Sequence, residues 1–211
     1  PAGYLDAIRA HAAGAGKAVL IGTVERVFAG KESAYFNSVV DVTQPGSPAY
    51  RKRHLVPFGE FIPPGFRWVL AVLKIPLTDF AAGAPDQWPL AAGGAQWAVA
   101  ICYEDIFGEE LVTQLPKAGL LPNVSNDAWM RALETGRWML RSTNTGLTAA
   151  IDEAGQVVSS LPQFTRGALL ATPVPRAGVT PYVAWGNWLF LIALALMLSG
   201  IAWSVRAPHR E

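Results

Sequence analysis

The chain has 211 residues, of which 51% are hydrophobic and 16% charged, with a formal net charge of +1. That is enough for one sizeable domain with its own core; near-neutrality implies no polyanion partner, and no basic run suggests nucleic acid. The single cysteine excludes an internal disulfide framework and a cysteine-rich zinc site, and His11, His54 and His209 lie far apart without ligand spacing, so no metal or other cofactor is expected.

The sequence opens Pro1-Ala-Gly-Tyr, with no initiator Met, basic n-region or signal-type apolar stretch, and reads as a fragment boundary. From Tyr4 to Ala13, Leu5, Ile8 and Ala12 fall at helical spacing, and Gly14 and Gly16 end the pattern. Lys17 to Val24 and Tyr35 to Val42 read as strands, joined by a hairpin-type connection over Ala29–Ser33, and Gln44-Pro-Gly-Ser-Pro48 reads as a turn. The segment Tyr50-Arg-Lys-Arg-His-Leu-Val-Pro-Phe-Gly-Glu-Phe-Ile-Pro63 follows three cations and a histidine with apolar residues and one carboxylate. A solvated basic loop is the plain reading, and Leu55, Val56 and Phe58 are poor company for it. A short apolar helix is expected over Phe66–Leu73, and Gly83, Pro85 and Pro89 keep Pro76–Pro89 irregular.

Ala98-Val-Ala-Ile-Cys-Tyr-Glu-Asp105 is an apolar run that ends abruptly at Cys102, as a buried strand does. At a strand exit a sharp turn exposes a nucleophile and frees nearby backbone N–H groups for an oxyanion. The same stretch also fits a buried structural cysteine. Beyond it, Gly108–Leu115 is expected as a helix, Leu120–Trp129 as a strand ending in a polar turn, and Met130–Arg141 as a helix. Leu147–Asp152 and Val157–Leu161 form a hairpin around Glu153-Ala-Gly-Gln156, and Gly167–Thr172 is a further strand. Alternating strands and helices indicate an α/β layered domain.

Trp188 to Val205 carries no formal charge over eighteen residues. As a helix it would span about 27 Å, close to the roughly 30 Å thickness of a bilayer's hydrocarbon core. Trp185, Trp188 and Trp203 lie near its ends, as interfacial aromatics do, and Arg206 and Arg210 follow directly. The positive-inside bias therefore puts the C-terminus in the cytoplasm and the α/β domain outside.

An unpaired thiol in oxidising surroundings is uncommon without a purpose. A free thiol is only a few per cent thiolate at neutral pH, so a nucleophilic one needs a nearby cation and a proton acceptor. Lys52 and Glu60 supply one of each, and an ammonium also donates to a developing oxyanion.

These residues carry a resemblance. Tyr-Arg-Lys-Arg-His-Leu-Val-Pro-Phe-Gly-Glu (50–60), Ala-Ile-Cys-Tyr-Glu (100–104) and Asn-Val-Ser-Asn-Asp-Ala-Trp (123–129) resemble, in order and spacing, the nitrilase-like domain of the apolipoprotein N-acyltransferases. So do Arg-Ser-Thr-Asn-Thr-Gly (141–146), Pro-Gln-Phe-Thr-Arg (162–166) and Val-Thr-Pro-Tyr (179–182). The resemblance implies an α-β-β-α sandwich over residues 1–178, a membrane-proximal linker over 179–187, a transmembrane helix over 188–205 and a cytoplasmic tail over 206–211. It implies a Glu-Lys-Cys triad in which Cys102 matches the nucleophile and Lys52 the lysine. Glu60 matches a further active-site carboxylate, and Tyr103 and Glu104 match residues flanking the nucleophile. Asn126, Asp127 and Trp129 are candidates to shape an acyl pocket, although Asn-Asp is also ordinary turn chemistry.

The implied reaction moves an acyl chain from a membrane phospholipid to Cys102 as a thioester, then to the α-amine of a diacylglyceryl lipoprotein. The implied setting is a monomer in the bacterial inner membrane with its catalytic domain in the periplasm. A membrane-anchored amidase and a non-catalytic anchored binding module are the alternatives. Two departures stand out. The triad glutamate belongs upstream of Pro1, and neither Glu25 nor Glu32 matches it. The direct step from Trp129 to Met130 is shorter than the family's, which predicts a missing loop there and a Cα separation beyond the roughly 3.8 Å of a trans peptide.

Overall fold

The computed structural model describes residues 2–29, 32–63, 65, 79–115, 117–124, 130–143 and 146–206. Helix α1 (Ala2–Gly14) leads into a three-stranded antiparallel sheet of β1 (Leu20–Ala29), β2 (Glu32–Asp41) and β3 (Tyr50–Arg51). The expected hairpin is present and tight, with Ala29 opposite Glu32 and the pairing running unbroken to Leu20 opposite Asp41. Arg9 of α1 donates to the Val42 carbonyl at 2.9 Å and Ala12 is buried, which ties the helix to the end of this sheet.

A second sheet holds β4 (Leu90–Ala92), β5 (Ala95–Trp97), β6 (Ala100–Ile101), β7 (Leu120–Val124), β8 (Trp138–Arg141), β9 (Thr148–Ile151) and β10 (Val157–Leu161). Its order is β10-β9-β8-β7-β5-β4, with β6 also pairing β7. The pairs β5–β7, β6–β7 and β7–β8 are parallel, and β4–β5, β8–β9 and β9–β10 are antiparallel. Helices α2 (Gly108–Gln114), α3 (Met130–Thr135) and α4 (Pro181–Trp185) accompany this sheet, and α5 (Trp188–Arg206) follows.

Strand side chains alternate between faces, and residues 98–101 show how this divides the core. Ala98 and Ala100 pack with Leu111 of α2 and Leu115 just beyond its end, Ala132 of α3 and Val183 of α4. Val99 and Ile101 pack the other way, against Val39 and Tyr50 of the first sheet. The larger sheet is thus sandwiched between the smaller sheet and the α2–α4 layer.

Several expectations need correction. The helix expected over Met130–Arg141 stops at Thr135, because Gly136 takes a left-handed φ of 61° and the chain re-emerges as β8. No strand forms over Gly167–Thr172, where Leu170 is almost wholly exposed and finds no sheet edge to join. The Lys17–Val24 strand starts later and runs longer, as β1. The run ending at Cys102 pairs only over Ala100–Ile101. The helix expected over Phe66–Leu73, the polar turn after Val124 and the missing loop expected at the Trp129–Met130 step lie outside the described residues. Helix α5 forms where the uncharged stretch predicts it. Among the described residues, however, no helix is long and apolar enough to cross a membrane.

The short β3 is locked into place by side chains and loops. Arg51 N–H donates to Gln87 Oε1 and the Arg51 carbonyl accepts from Gln87 Nε2, both at 2.7 Å. Lys52 N–H donates to the Asn37 carbonyl at 2.7 Å, and the Lys52 carbonyl accepts from Gly83 N–H at 2.8 Å. Gly83 approaches so closely that an added Cβ would sit 2.1 Å from the Arg51 carbonyl oxygen. Gly83→Ala is therefore expected to cost about 1–3 kcal/mol, measured by urea unfolding. An unchanged midpoint would mean that this packing does not hold the 51–52 segment.

Candidate active site

The nucleophile candidate sits where the strand alternation breaks. By the two-residue period Cys102 would follow Ala98 and Ala100 toward the helices. Instead its φ is 60°, a left-handed value that a non-glycine residue adopts at some cost. The turn swings Cys102 into the inter-sheet cluster with Val39, Tyr50 and Ile101, and starts the 3-10 helix Cys102–Ile106. The thiol is free and half-buried. A strained strand-to-helix turn of this kind presents a nucleophile while leaving the following amides available.

Lys52 leaves β3 with a side chain that is 1% exposed. Its Nζ donates to both oxygens of Glu60, at 2.9 and 2.7 Å. Glu60 reaches back because residues 56–60 form a tight turn, in which the Val56 carbonyl accepts from Gly59 and Glu60 N–H at 3.1 and 2.8 Å. Its carboxylate also accepts from Val56 N–H at 2.8 Å and from the Asn37 amide. The Lys52 ammonium lies 5.3 Å from the centroid of the Tyr103 ring, within cation–π range. Tyr103 directly follows Cys102, so the ion pair and the Cys102 turn share one neighbourhood. Tyr103 Oη donates to the Leu55 carbonyl at 2.8 Å, a second tie between the two segments.

Glu104 makes the strongest link. One carboxylate oxygen accepts from Arg53 N–H at 2.6 Å and His54 N–H at 3.1 Å, and the other from Ile101 N–H at 2.8 Å and Tyr50 Oη at 3.1 Å. Burial raises the Glu104 carboxyl above the usual range, while the three backbone donors and Tyr50 pull it back. The same burial, with the Glu104 charge beside it, pushes the Tyr50 phenol well up, so it serves as a neutral donor. Asp105 is fully buried and accepts from Asn123 Nδ2 at 2.9 Å, pinning the turn to β7.

The structure thus brings Lys52, Glu60, Tyr103 and Glu104 together around the Cys102 turn. Asn126, Asp127 and Trp129 lie outside the described residues. His54 stacks on Phe107 at 4.0 Å and faces Glu110, a packing role. Glu25 is held by the Arg51 guanidinium through two 2.8 Å contacts, which lowers its carboxyl against the opposing effect of burial; it does not pair with Lys52. Sequence reasoning missed Asn37 and Tyr50. A polar Asn inside the apolar run of β2 was the signal for the first, and Tyr50 lay unremarked beside the Arg-Lys pair. A cleft of about 500 Å³ opens between the sheets, lined partly by Leu20, Val39, Trp97 and Val124, which share with Cys102 the inter-sheet cluster.

Removing one partner of a buried ion pair leaves the other charge stranded. Lys52→Ala is therefore expected to cost about 3–5 kcal/mol in urea unfolding. The Lys52→Ala/Glu60→Gln double variant should recover about 2 kcal/mol relative to the sum of the single losses. Additive losses would mean that the two groups do not interact.

A family model described as carbon-nitrogen hydrolase matches residues 1–182. The chain is 47% identical over 215 residues to an apolipoprotein N-acyltransferase of Nitrosomonas europaea, and 44% identical over 221 residues to that of Methylococcus capsulatus. These alignments cover 94% and 96% of this chain and 43% of each relative, so the chain spans less than half the length of the relatives it matches. Among solved structures, the C. elegans NitFhit protein aligns with a TM-score of 0.57 at 18% identity, covering 76% of this chain and 43% of that one. An amidase from Nesterenkonia sp. aligns with a TM-score of 0.53 at 18% identity, covering 90% and 73%. At such identities the structural likeness establishes the fold alone, a nitrilase-like α/β arrangement.

Proposed function

Since the chain belongs to the carbon-nitrogen hydrolase family, we propose that it carries the catalytic domain of an N-acyltransferase that works on lipid at a membrane. Cys102 thiolate attacks the ester carbonyl of a phospholipid. The carbon–oxygen bond to glycerol breaks, the glycerol oxygen takes up a proton, and a lysophospholipid leaves an acyl thioester on sulfur. The α-amine of a diacylglyceryl lipoprotein then attacks the thioester carbonyl. An amide forms, the thiolate departs, and the amine's proton is passed to the site. Acyl transfer of this kind needs stabilisation of an oxyanion in each step.

In this reading the Lys52 ammonium favours the thiolate and donates to the oxyanion, and Glu60 fixes the ammonium's position and accepts protons. Tyr103 and Glu104 hold the turn, and Asn126, Asp127 and Trp129 keep the candidate acyl-pocket role given to them from the sequence. The triad glutamate of the resemblance has no counterpart here among Glu25, Glu32 and Glu60, so complete turnover is assigned to the protein in its full-length form.

The observation that carries the reading is a Lys–Glu pair beside a lone thiol, on the same chain as a helix apolar on all sides. Leu189, Phe190, Leu191 and Ile192 are four consecutive exposed apolar residues, which at 100° per residue cover every direction around α5. Such a helix is stable only inside a protein core or a bilayer. A helix short of a full span is accommodated by local bilayer thinning and snorkelling flanks. We place α5 in the bacterial inner membrane, with Trp185, Trp188 and Trp203, all exposed, at the interfaces, the catalytic domain in the periplasm and the C-terminus in the cytoplasm. The relatives of 44–47% identity favour acyl transfer over the amidase alternative.

Incubating the full-length protein with phospholipid should add one acyl group, seen by intact mass and released by hydroxylamine. Cys102→Ala should abolish both the adduct and acylation of a diacylglyceryl peptide. Acylation of that peptide at the parental rate by Cys102→Ala would end the thioester mechanism.

A further inference from the structure

Three elements meet at the guanidinium of Arg131, in the first turn of α3. Its Nε donates to the Asp105 carbonyl, and its Nη2 to the Ile106 carbonyl at 2.8 Å. These are the last carbonyls of the 3-10 helix that begins at Cys102. A helix end leaves such acceptors without intrahelical donors, and a cation is favoured beside them. Arg131 Nη1 donates to Glu134 and, at 3.1 Å, to Tyr182 Oη of α4.

Helix α4 is held firmly from the same side. Thr180 caps it by accepting from Val183 N–H at 3.2 Å while its hydroxyl donates to the Glu134 carbonyl at 2.7 Å. Just before it, Arg137, almost fully buried, donates to the Gly178 carbonyl at 2.8 Å. Just after it, Asn187 donates to Glu109 of α2 at 2.9 Å, and α5 begins at Trp188. A continuous line of contacts therefore runs from the nucleophile helix through Arg131 and Tyr182 to the foot of α5.

The sequence makes room for this line at one position. A Cβ on Gly108 would lie 2.3 Å from both Arg131 Nη1 and Tyr182 Oη. The backbone of Gly108 is helical, so an alanine there is conformationally acceptable, and its methyl group would have to displace the Arg131–Tyr182 pair passing overhead.

We infer that Arg131 is a positioning residue that fixes the Cys102 turn relative to α5, so that the thiol meets lipid presented at the membrane. The functional consequence rests on the acyltransferase reading. Arg131 acts through the turn and touches no reacting atom. A misplacement of about 1 Å at a reacting group costs up to about a hundredfold in rate, so a loosened line should be visible in the lipid reaction.

The test uses the full-length protein and two readouts on Cys102: alkylation by iodoacetamide, and acylation by vesicles of phosphatidylethanolamine and phosphatidylglycerol. Tyr182→Phe removes the hydroxyl, and Gly108→Ala pushes the pair apart with both side chains intact. Each should lower vesicle-dependent acylation about tenfold and leave alkylation within about twofold. Arg131→Lys, which cannot span both carbonyls, should slow both reactions about tenfold. Parental acylation by Tyr182→Phe and Gly108→Ala overturns the inference, as does a fall of both readouts in step with the folded fraction. If Arg131→Lys does not fold, Gly108→Ala decides. If the parent alkylates but never acylates, the acyltransferase reading fails by itself; the positioning role then stands or falls on whether Arg131→Lys slows alkylation.

Discussion

The site depends on one buried carboxylate. Glu104 is 6% exposed, and its two oxygens collect donors from residues 50, 53, 54 and 101, which belong to the two sheets and the loop between them. A charge taken out of water is tolerated only when its acceptor capacity is filled. That requirement forces the segment carrying Lys52 to lie against the strand carrying Cys102. Neither segment is long enough to hold itself there: β3 and β6 each span two residues. The carboxylate does the joining that a longer ladder would otherwise do.

Electrostatics then follow from that placement. Lys52 lies between Tyr50 and Arg53, whose hydroxyl and N–H respectively donate to Glu104, so its ammonium has little freedom to seek water. Glu60 meets it through a turn that begins four residues earlier, and Asn37 and Val56 N–H fill the rest of that carboxylate. A fully satisfied network of this sort is rigid, and each member raises the cost of losing another. The left-handed Cys102 is the strained element that the network supports: its unfavourable φ is what turns the sulfur out of the helical face and into the space between the sheets.

Much of this was legible in the chain. The hairpin of β1 and β2, the abrupt end of the apolar run at Cys102, and the presence of a lysine and a carboxylate, Lys52 and Glu60, in one motif all follow from local pattern; that the two pair with each other shows only in the fold. What was not legible came from partners distant in sequence. Trp138-Met-Leu-Arg141 contains good helix formers, yet β7 and β9 claim it as a strand, a case of sheet neighbours overriding propensity. Gly167–Thr172 has strand-like residues and no neighbour to pair with. Tyr50, 54 residues before Glu104, and Arg131, 25 residues after Ile106, reveal their roles only when the chain is folded. The motif Val179-Thr-Pro-Tyr182 likewise acquires a physical meaning in the fold, as a helix cap, a first-turn proline and the hydroxyl that Arg131 holds.

The central claim is that the Glu104 carboxylate is what unites the lysine segment with the Cys102 turn. Native-state hydrogen exchange on the full-length protein and its Glu104→Ala variant tests it most directly, read at the amides of Arg53, His54 and Ile101. The account predicts that in the variant these three amides lose protection together, by a common factor, while those of β8 and β9 keep theirs. Unchanged protection at Arg53 and His54, with loss confined to Ile101, would contradict it, because the lysine segment would then be held by something other than this carboxylate.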